Sequence, residues 1–212
     1  MKVGANNMKK VDENTIEAKT RYLIMKRLLD IIITILALPF VLLIIIIAGI
    51  FVKLDSKGPI FYTQKRLGLN GEEFKIYKLR SMEVDAEQDT GAIWAEKDDP
   101  RVTNVGKALR KHRIDELPQF FNILIGDMSL IGPRPERKDL SEIFTEWVPD
   151  FKKRLLVKPG ITGWAQVNGG YDINHSEKLK YDLEYIENMS LRFDFKIIFR
   201  TIKVILLGYG AR

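Results

Sequence analysis

The residues best equipped for chemistry are Asp115 and Glu116, adjacent carboxylates in the run Arg110-Lys-His-Arg-Ile-Asp-Glu-Leu-Pro-Gln119. A carboxylate kept ionised by neighbouring cations and helix-start amides can attack phosphorus and form an acyl phosphate. The second carboxylate can orient the nucleophile, help hold a divalent cation or serve a later step. Arg134 stands between two prolines in Gly132-Pro-Arg-Pro135. That is a costly way to present an ordinary surface arginine, and the guanidinium fork suits phosphate. These residue types point to attack on a diphosphate whose charge the cations neutralise. A plainer reading stands beside it: Asp115 caps a helix and the cations line a solvated face. His112 and His175 have no partner pattern for a triad or a metal and read as structural or surface residues. The chain has no Cys, which excludes disulfides, thiol catalysis and zinc-thiolate sites and agrees with a reducing compartment.

The elements that must position these groups are legible in part. Ile60 to Thr63 and Phe74 to Leu79 are β-branched and aromatic runs joined through Leu69-Asn70-Gly71, the mark of a hairpin. Val105 to Arg113 reads as a short basic helix. A second helix is expected to begin at Asp115 and to stop before Gly126. Gly132 to Pro135 must be extended or turned, because each proline restricts the residue before it. Leu140 to Val157 looks helical with Pro149 interrupting it, and Ser176 to Asn188 is an amphipathic helix. Lys158-Pro-Gly-Ile-Thr-Gly163 and Asn168-Gly-Gly170 are backbone-shaping loops. Residues 83–99 carry seven acids against the single Lys97 and read as a solvated loop, since the acids lack ligand spacing. Trp147 and Trp164 are expected in the core.

Upstream, Ile31 to Val52 is 22 residues without a charge, and a bilayer crossing needs about 20. The long polar lead-in and the missing small-residue cleavage site argue against a signal peptide. Pro39 sits mid-segment, where it removes a backbone hydrogen bond. Basic residues flank both ends: Lys26 and Arg27 before, Lys53 and Lys57 after. Positive flanks mark the cytoplasmic side, so a helix that enters, bends at Pro39 and returns fits both facts. A kinked single pass fits as well. The charge of +6 is held at the ends. Residues 1–30 have seven Lys/Arg against four acids, and residues 193–212 have four against one. Residues 53–192 balance at 23 each. Basic ends around a neutral body suit an anionic lipid surface, and nothing reads as a nucleic-acid motif. In the tail, Lys196, Arg200 and Lys203 share one helical face opposite apolar residues, which suits a helix in the membrane interface or one packed on the core.

Taken together, the ordered motifs identify the chain as similar to the bacterial sugar transferases, the monotopic phosphoglycosyl transferases that initiate exopolysaccharide, capsule and glycan assembly. The resemblance runs from about Met25 to the C-terminus. It rests on Lys26-Arg27-Leu-Leu-Asp30, Gly58-Pro-Ile-Phe-Tyr-Thr-Gln64 and Phe74-Lys-Ile-Tyr-Lys78-Leu-Arg80-Ser-Met82. Ile114-Asp-Glu-Leu-Pro-Gln119, Gly126-Asp-Met-Ser-Leu-Ile-Gly-Pro-Arg-Pro135 and Lys158-Pro-Gly-Ile-Thr-Gly-Trp-Ala-Gln-Val-Asn168 complete it. It implies transfer of a sugar 1-phosphate from a UDP-sugar to undecaprenyl phosphate with release of UMP. Asp115 would be the nucleophile, Glu116 its partner and Lys78, Arg80, Arg110 and Arg134 substrate-binding. Mg²⁺ would assist at Asp115. It also implies an enzyme at the cytoplasmic face of the inner membrane, held by a re-entrant helix broken near Pro39. The expected fold class is α+β and mostly helical, with the re-entrant helix-break-helix, a small cytoplasmic catalytic domain containing a β-hairpin, and interfacial amphipathic helices. The expected divisions are a polar leader at 1–24, a membrane segment at 25–57, the catalytic domain at 58–192 and a basic tail at 193–212. Homo-oligomerisation stays open. Two features depart from the family pattern: Leu38 precedes Pro39 where some relatives have Ser, and only about 25 residues precede the anchor, the pattern expected of a minimal catalytic unit. Two rival functions remain: a non-catalytic membrane-anchored scaffold of a glycan-assembly complex, and a glycosyl transferase that releases UDP.

Overall fold

The computed structural model describes residues 11–84, 86, 99–169 and 173–207. Its longest element is the apolar segment, one helix of 36 residues over Thr20–Asp55 (α2). A short helix, Glu13–Glu17 (α1), precedes it and is boxed by Asp12 and Thr15. The leader is not loose throughout, because Val11 is buried in the main core. The break expected at Pro39 does not interrupt the helix: α2 continues on both sides of it. Proline withholds one amide there, and the remaining intrahelical bonds carry the helix past it.

Lys26, Asp30, Thr34, Val41, Ile45, Ala48 and Val52 are buried along α2, with Ala37 partly buried between them. Steps of three and four residues place these side chains in one stripe. Leu36, Phe40, Leu43, Ile46, Ile50 and Leu54, on other faces of the helix, are all exposed. The buried stripe is tied to the rest of the protein near both ends. Arg27 donates to the carbonyls of Ile123 and Leu124, and Asp55 accepts from the Val105 amide at 3.0 Å.

Strands Phe61–Leu67 (β1) and Glu73–Leu79 (β2) form the expected antiparallel hairpin, in which Tyr62 faces Lys78. Its turn uses Asn70 at φ 54° and Gly71 at φ 82°, conformations these residue types tolerate. Helix Asn104–Lys111 (α3) is capped by Thr103, whose hydroxyl accepts from the Gly106 amide. Gly106 has to be glycine: a Cβ there would lie 2.1 Å from the Ser81 carbonyl oxygen. This close approach seats α3 against the end of β2.

Helix Gln119–Ile125 (α4) ends at Gly126, φ 101°, as the sequence predicts. A short strand Ser129–Ile131 (β3) then pairs in parallel with Gly160–Thr162 (β4). Helix Lys138–Trp147 (α5) and a 3-10 turn over Phe151–Leu156 lie between them, divided near Pro149. Helices Trp164–Asn168 (α6), His175–Asn188 (α7) and Leu191–Leu207 (α8) complete the mostly helical chain.

The main core gathers Ile131, Phe144, Phe151, Trp164, Leu183, Ile186 and Ile197. A second core joins α2 to β2 and α3 through Val41, Ile45, Val52, Leu79 and Leu109. Trp164 is buried as expected, but Trp147 is 67% exposed, contrary to the core expectation, because it lies at the C-terminal end of α5. His175 stacks on Phe144 with ring centroids 3.7 Å apart, a structural role. Most of the acidic stretch 83–99 lies outside the described residues, as does Gly170.

The tail helix packs on the core along one face and exposes apolar residues on another. Ile197 is fully buried in the core, while Phe195, Phe199 and Ile202 remain exposed. Lys196 and Arg200 stack on the Trp164 ring at 4.9 and 4.6 Å rather than facing away from the domain.

Candidate active site

Asp115 and Glu116 lie in a 3-10 turn, Ile114–Glu116, entered through Arg113 at φ 55°. A left-handed arginine is uncommon, and here it turns the chain sharply after α3. The expected cap is absent: α4 starts at Gln119 with Pro118 at its N-cap, three residues later than a cap at Asp115 would require. Asp115 therefore does not cap that helix, and the plainer reading of this carboxylate falls away.

Two cations from distant parts of the chain converge on Glu116. Lys78 Nζ, on β2, lies 3.1 Å from Oε1, and Arg134 Nη2 lies 2.6 Å from the same oxygen. Both carboxylate residues are buried, each 6% exposed. Among the described residues, no hydrogen bond reaches the Asp115 carboxylate, so the cation clamp holds Glu116 and leaves Asp115 unengaged.

The electrostatics differ accordingly. Burial raises the Asp115 carboxyl, and the Glu116 charge adds to that; Lys78, Arg110 and Arg134 pull the other way without prevailing. This corrects the expectation that helix amides and upstream cations would favour ionisation: there is no helix start at Asp115, and desolvation dominates. Burial also raises Glu116, but Arg134 and Lys78 outweigh it and hold that carboxyl well below its usual range. Arg113 contributes to the same lowering. It is a site cation the substrate-binding set omitted; it was visible in sequence only as one of several basic residues.

Arg110 acts on Asp115 from the last turn of α3, with Nε donating to Ser81 Oγ at 2.8 Å. Arg80 is not brought to the carboxylates. Its guanidinium donates to the carbonyls of Ser56, Lys57 and Pro59 at 2.9, 2.8 and 2.7 Å. It ties the end of α2 to the start of the hairpin.

The loop carrying Arg134 is seated by backbone packing. A Cβ on Gly132 would meet the Lys158 oxygen at 2.3 Å, and one on Gly160 would meet the Gly132 nitrogen at 2.0 Å. The two glycine-containing motifs are thus two sides of one contact.

A buried acid held by two cations beside a second acid is an arrangement suited to anionic chemistry. The family model described as bacterial sugar transferase matches residues 21–208. The chain belongs to the bacterial sugar transferase family. It is 46% identical over 194 residues to a UDP-N-acetylgalactosamine-undecaprenyl-phosphate N-acetylgalactosaminephosphotransferase of Aeromonas hydrophila, covering 90% of this chain and 46% of that protein. It is 44% identical over 205 residues to a galactosyl transferase of Streptococcus agalactiae, covering 92% of this chain and 45% of the relative. A UDP-glucose:undecaprenyl-phosphate glucose-1-phosphate transferase of Escherichia coli is 41% identical over 184 residues, covering 84% and 39%. The chain thus spans about half the length, or less, of these relatives. Their names place three different sugars within one family.

Proposed function

We propose that this sugar transferase moves a sugar 1-phosphate from a UDP-sugar to undecaprenyl phosphate, with Asp115 as the covalent nucleophile. The observation that carries the reading is the asymmetry of the carboxylate pair: Glu116 is clamped by Lys78 and Arg134, while Asp115 is free of hydrogen bonds among the described residues. An Asp115 oxygen attacks the phosphorus that bears the sugar. The bond from that phosphorus to the bridging oxygen breaks, and UMP leaves. An oxygen of undecaprenyl phosphate then attacks the same phosphorus and releases the Asp115 carboxylate. Lys78, Arg110 and Arg134 neutralise phosphoryl charge in both steps, and Glu116 holds two of those cations in place. The relatives from Aeromonas hydrophila and Escherichia coli, both named for undecaprenyl phosphate, support the acceptor.

The donor set fits Mg²⁺ in the manner usual for that ion, one or two carboxylates plus substrate phosphate oxygens and water. Asp115 is the residue that would hold it, and the ion would add positive charge at the diphosphate.

The membrane reading keeps both ends of α2 on one face, with the helix bending at Pro39 rather than breaking there; it takes 25–57 as membrane segment, 58–192 as catalytic domain and 193–212 as interfacial tail on the cytoplasmic face of the inner membrane. Its support is that the same folded body holds Arg27 and Asp55, near the two ends of α2. Exposed apolar residues on α2 and α8 would meet lipid, and the basic ends would favour anionic headgroups.

The test is nucleotide release from a panel of UDP-sugars with undecaprenyl phosphate and Mg²⁺. UMP from wild type and its loss in Asp115→Asn, with the variant still folded, is the expected result. UDP in place of UMP would favour the glycosyl transferase alternative, and undiminished UMP from the variant would remove Asp115 as nucleophile.

A further inference from the structure

We infer that Arg154, buried behind the Arg134 loop, is a positioning residue that holds the Arg134 carbonyl and thereby sets that guanidinium on Glu116. The inference rests on the proposed role of the Glu116 clamp and extends it to a residue outside every motif quoted above. Arg154 lies in the 3-10 turn between α5 and β4 and is 2% exposed. Its Nε donates to Asp182 Oδ2, on α7, at 2.9 Å, and its Nη2 donates to the Arg134 carbonyl at 2.9 Å. Nη1 lies 3.6 Å from Glu136 Oε1, which also pairs with Lys178.

Buried ion clusters add little stability, because desolvation offsets their attraction. What this one supplies is direction. Pro133 and Pro135 have no amide hydrogen, so the loop on either side of Arg134 can be held chiefly through its carbonyls. Three of them are taken, each from a different element. The Pro133 oxygen accepts from the Gly160 amide at 2.9 Å, the Arg134 oxygen from Arg154, and the Glu136 oxygen from the Leu67 amide at 2.8 Å. Only the Arg154 donor is a side chain. Leu67 ends β1, whose partner β2 carries Lys78. Both cations on Glu116 are therefore referenced to this one stretch.

Arg154→Lys keeps the buried charge and loses the fork. Local displacement of a catalytic group by about 1 Å costs on the order of a hundredfold in rate, and kcat is expected to fall by about that factor. A residue acting through Arg134 must lose its effect once Arg134 is gone, so Arg154→Lys should add nothing in an Arg134→Ala background. Multiplying losses in the double variant would overturn the inference. Asp182→Asn, which loosens the same fork more gently, should show the same dependence on Arg134 and serves if Arg154→Lys does not fold. Amide hydrogen exchange gives a readout that needs no turnover. In Arg154→Lys the Leu67 and Gly160 amides should exchange faster while those of α4 do not change, and unchanged exchange would also overturn the inference. If wild type turns over no donor, or Arg134→Ala leaves too little activity to measure, exchange decides alone, and wild-type inactivity counts against the proposed reaction.

Discussion

At Asp115 two effects of burial and charge oppose each other. Removal from water favours the neutral acid, whereas Lys78, Arg110 and Arg134 favour the anion, and burial wins. A nucleophile whose carboxyl is raised becomes ionised only above the ordinary aspartate value of about 3.9, so kcat/KM should climb with pH through a point above that value. Lys78 lowers both carboxyls of the pair. Lys78→Met removes that pull, so the acid limb should shift further toward neutral pH. Activity at neutral pH should fall by roughly a hundredfold, the usual scale for losing one preorganised charge at a phosphoryl site. A pH–rate profile on both proteins checks this, and a limb that stays put would mean Lys78 does not act on the pair. Arg113 enters the same balance from a strained backbone position that no residue pattern announces.

At the scale of elements, the site is assembled from a hairpin, a 3-10 turn and a proline loop that meet only because the backbones come very close. Gly106 against Ser81 and Gly132 against Gly160 are the contacts that permit it. Arg80 belongs to this scale as well. By resemblance it would bind substrate, yet its three donors close off the carbonyls of residues 56, 57 and 59, where the long helix gives way to β1. Hydrogen bonds to a charged group contribute about 1.5–3 kcal/mol each, less desolvation, so Arg80→Ala should cost roughly 3 kcal/mol and lower the thermal midpoint in detergent. The donor KM should change far less than the midpoint. A large rise in KM with an unaltered midpoint would return Arg80 to the substrate.

At the scale of the whole molecule, the proposed membrane reading turns on α2. A 36-residue helix at about 1.5 Å per residue is roughly 54 Å long, well beyond a hydrocarbon core of about 30 Å. Yet Arg27 and Asp55, near its opposite ends, are bonded to one folded body. The absence of cysteine makes the topology directly testable. Single cysteines at the exposed positions Glu17 and Lys57 should both react with an impermeant maleimide from the cytoplasmic side of inverted vesicles. Labelling from opposite sides would mean that α2 crosses the bilayer. A seam of buried polar contacts fixes the N-terminal part of α2 to the folded body: Tyr22 and Lys26 of α2 meet Asp194 of α8 at 2.7 and 3.3 Å, and Asp30 accepts from Ser129 of β3 at 2.7 Å.

The sequence by itself determined the features that depend on local chemistry. The hairpin turn at Asn70-Gly71, the stop at Gly126, the apolar segment and the family motifs that contain Asp115, Glu116, Lys78 and Arg134 are all written in short runs of residues. Only the tertiary structure decided which of those residues meet. Lys78 and Arg134 are separated by more than 50 positions, and their shared contact with Glu116 depends on the packing of β2 against the 3-10 turn. The same packing removed Asp115 from the helix start and reversed the direction of its expected ionisation, because burial is a property of the whole fold. Arg154 was invisible for the same reason: in sequence it is the last of three consecutive basic residues, Lys152-Lys153-Arg154, and its partners Arg134 and Asp182 lie 20 and 28 residues away. Proline's effect in α2 was also settled by context, since its missing amide weakens a helix but does not by itself end one.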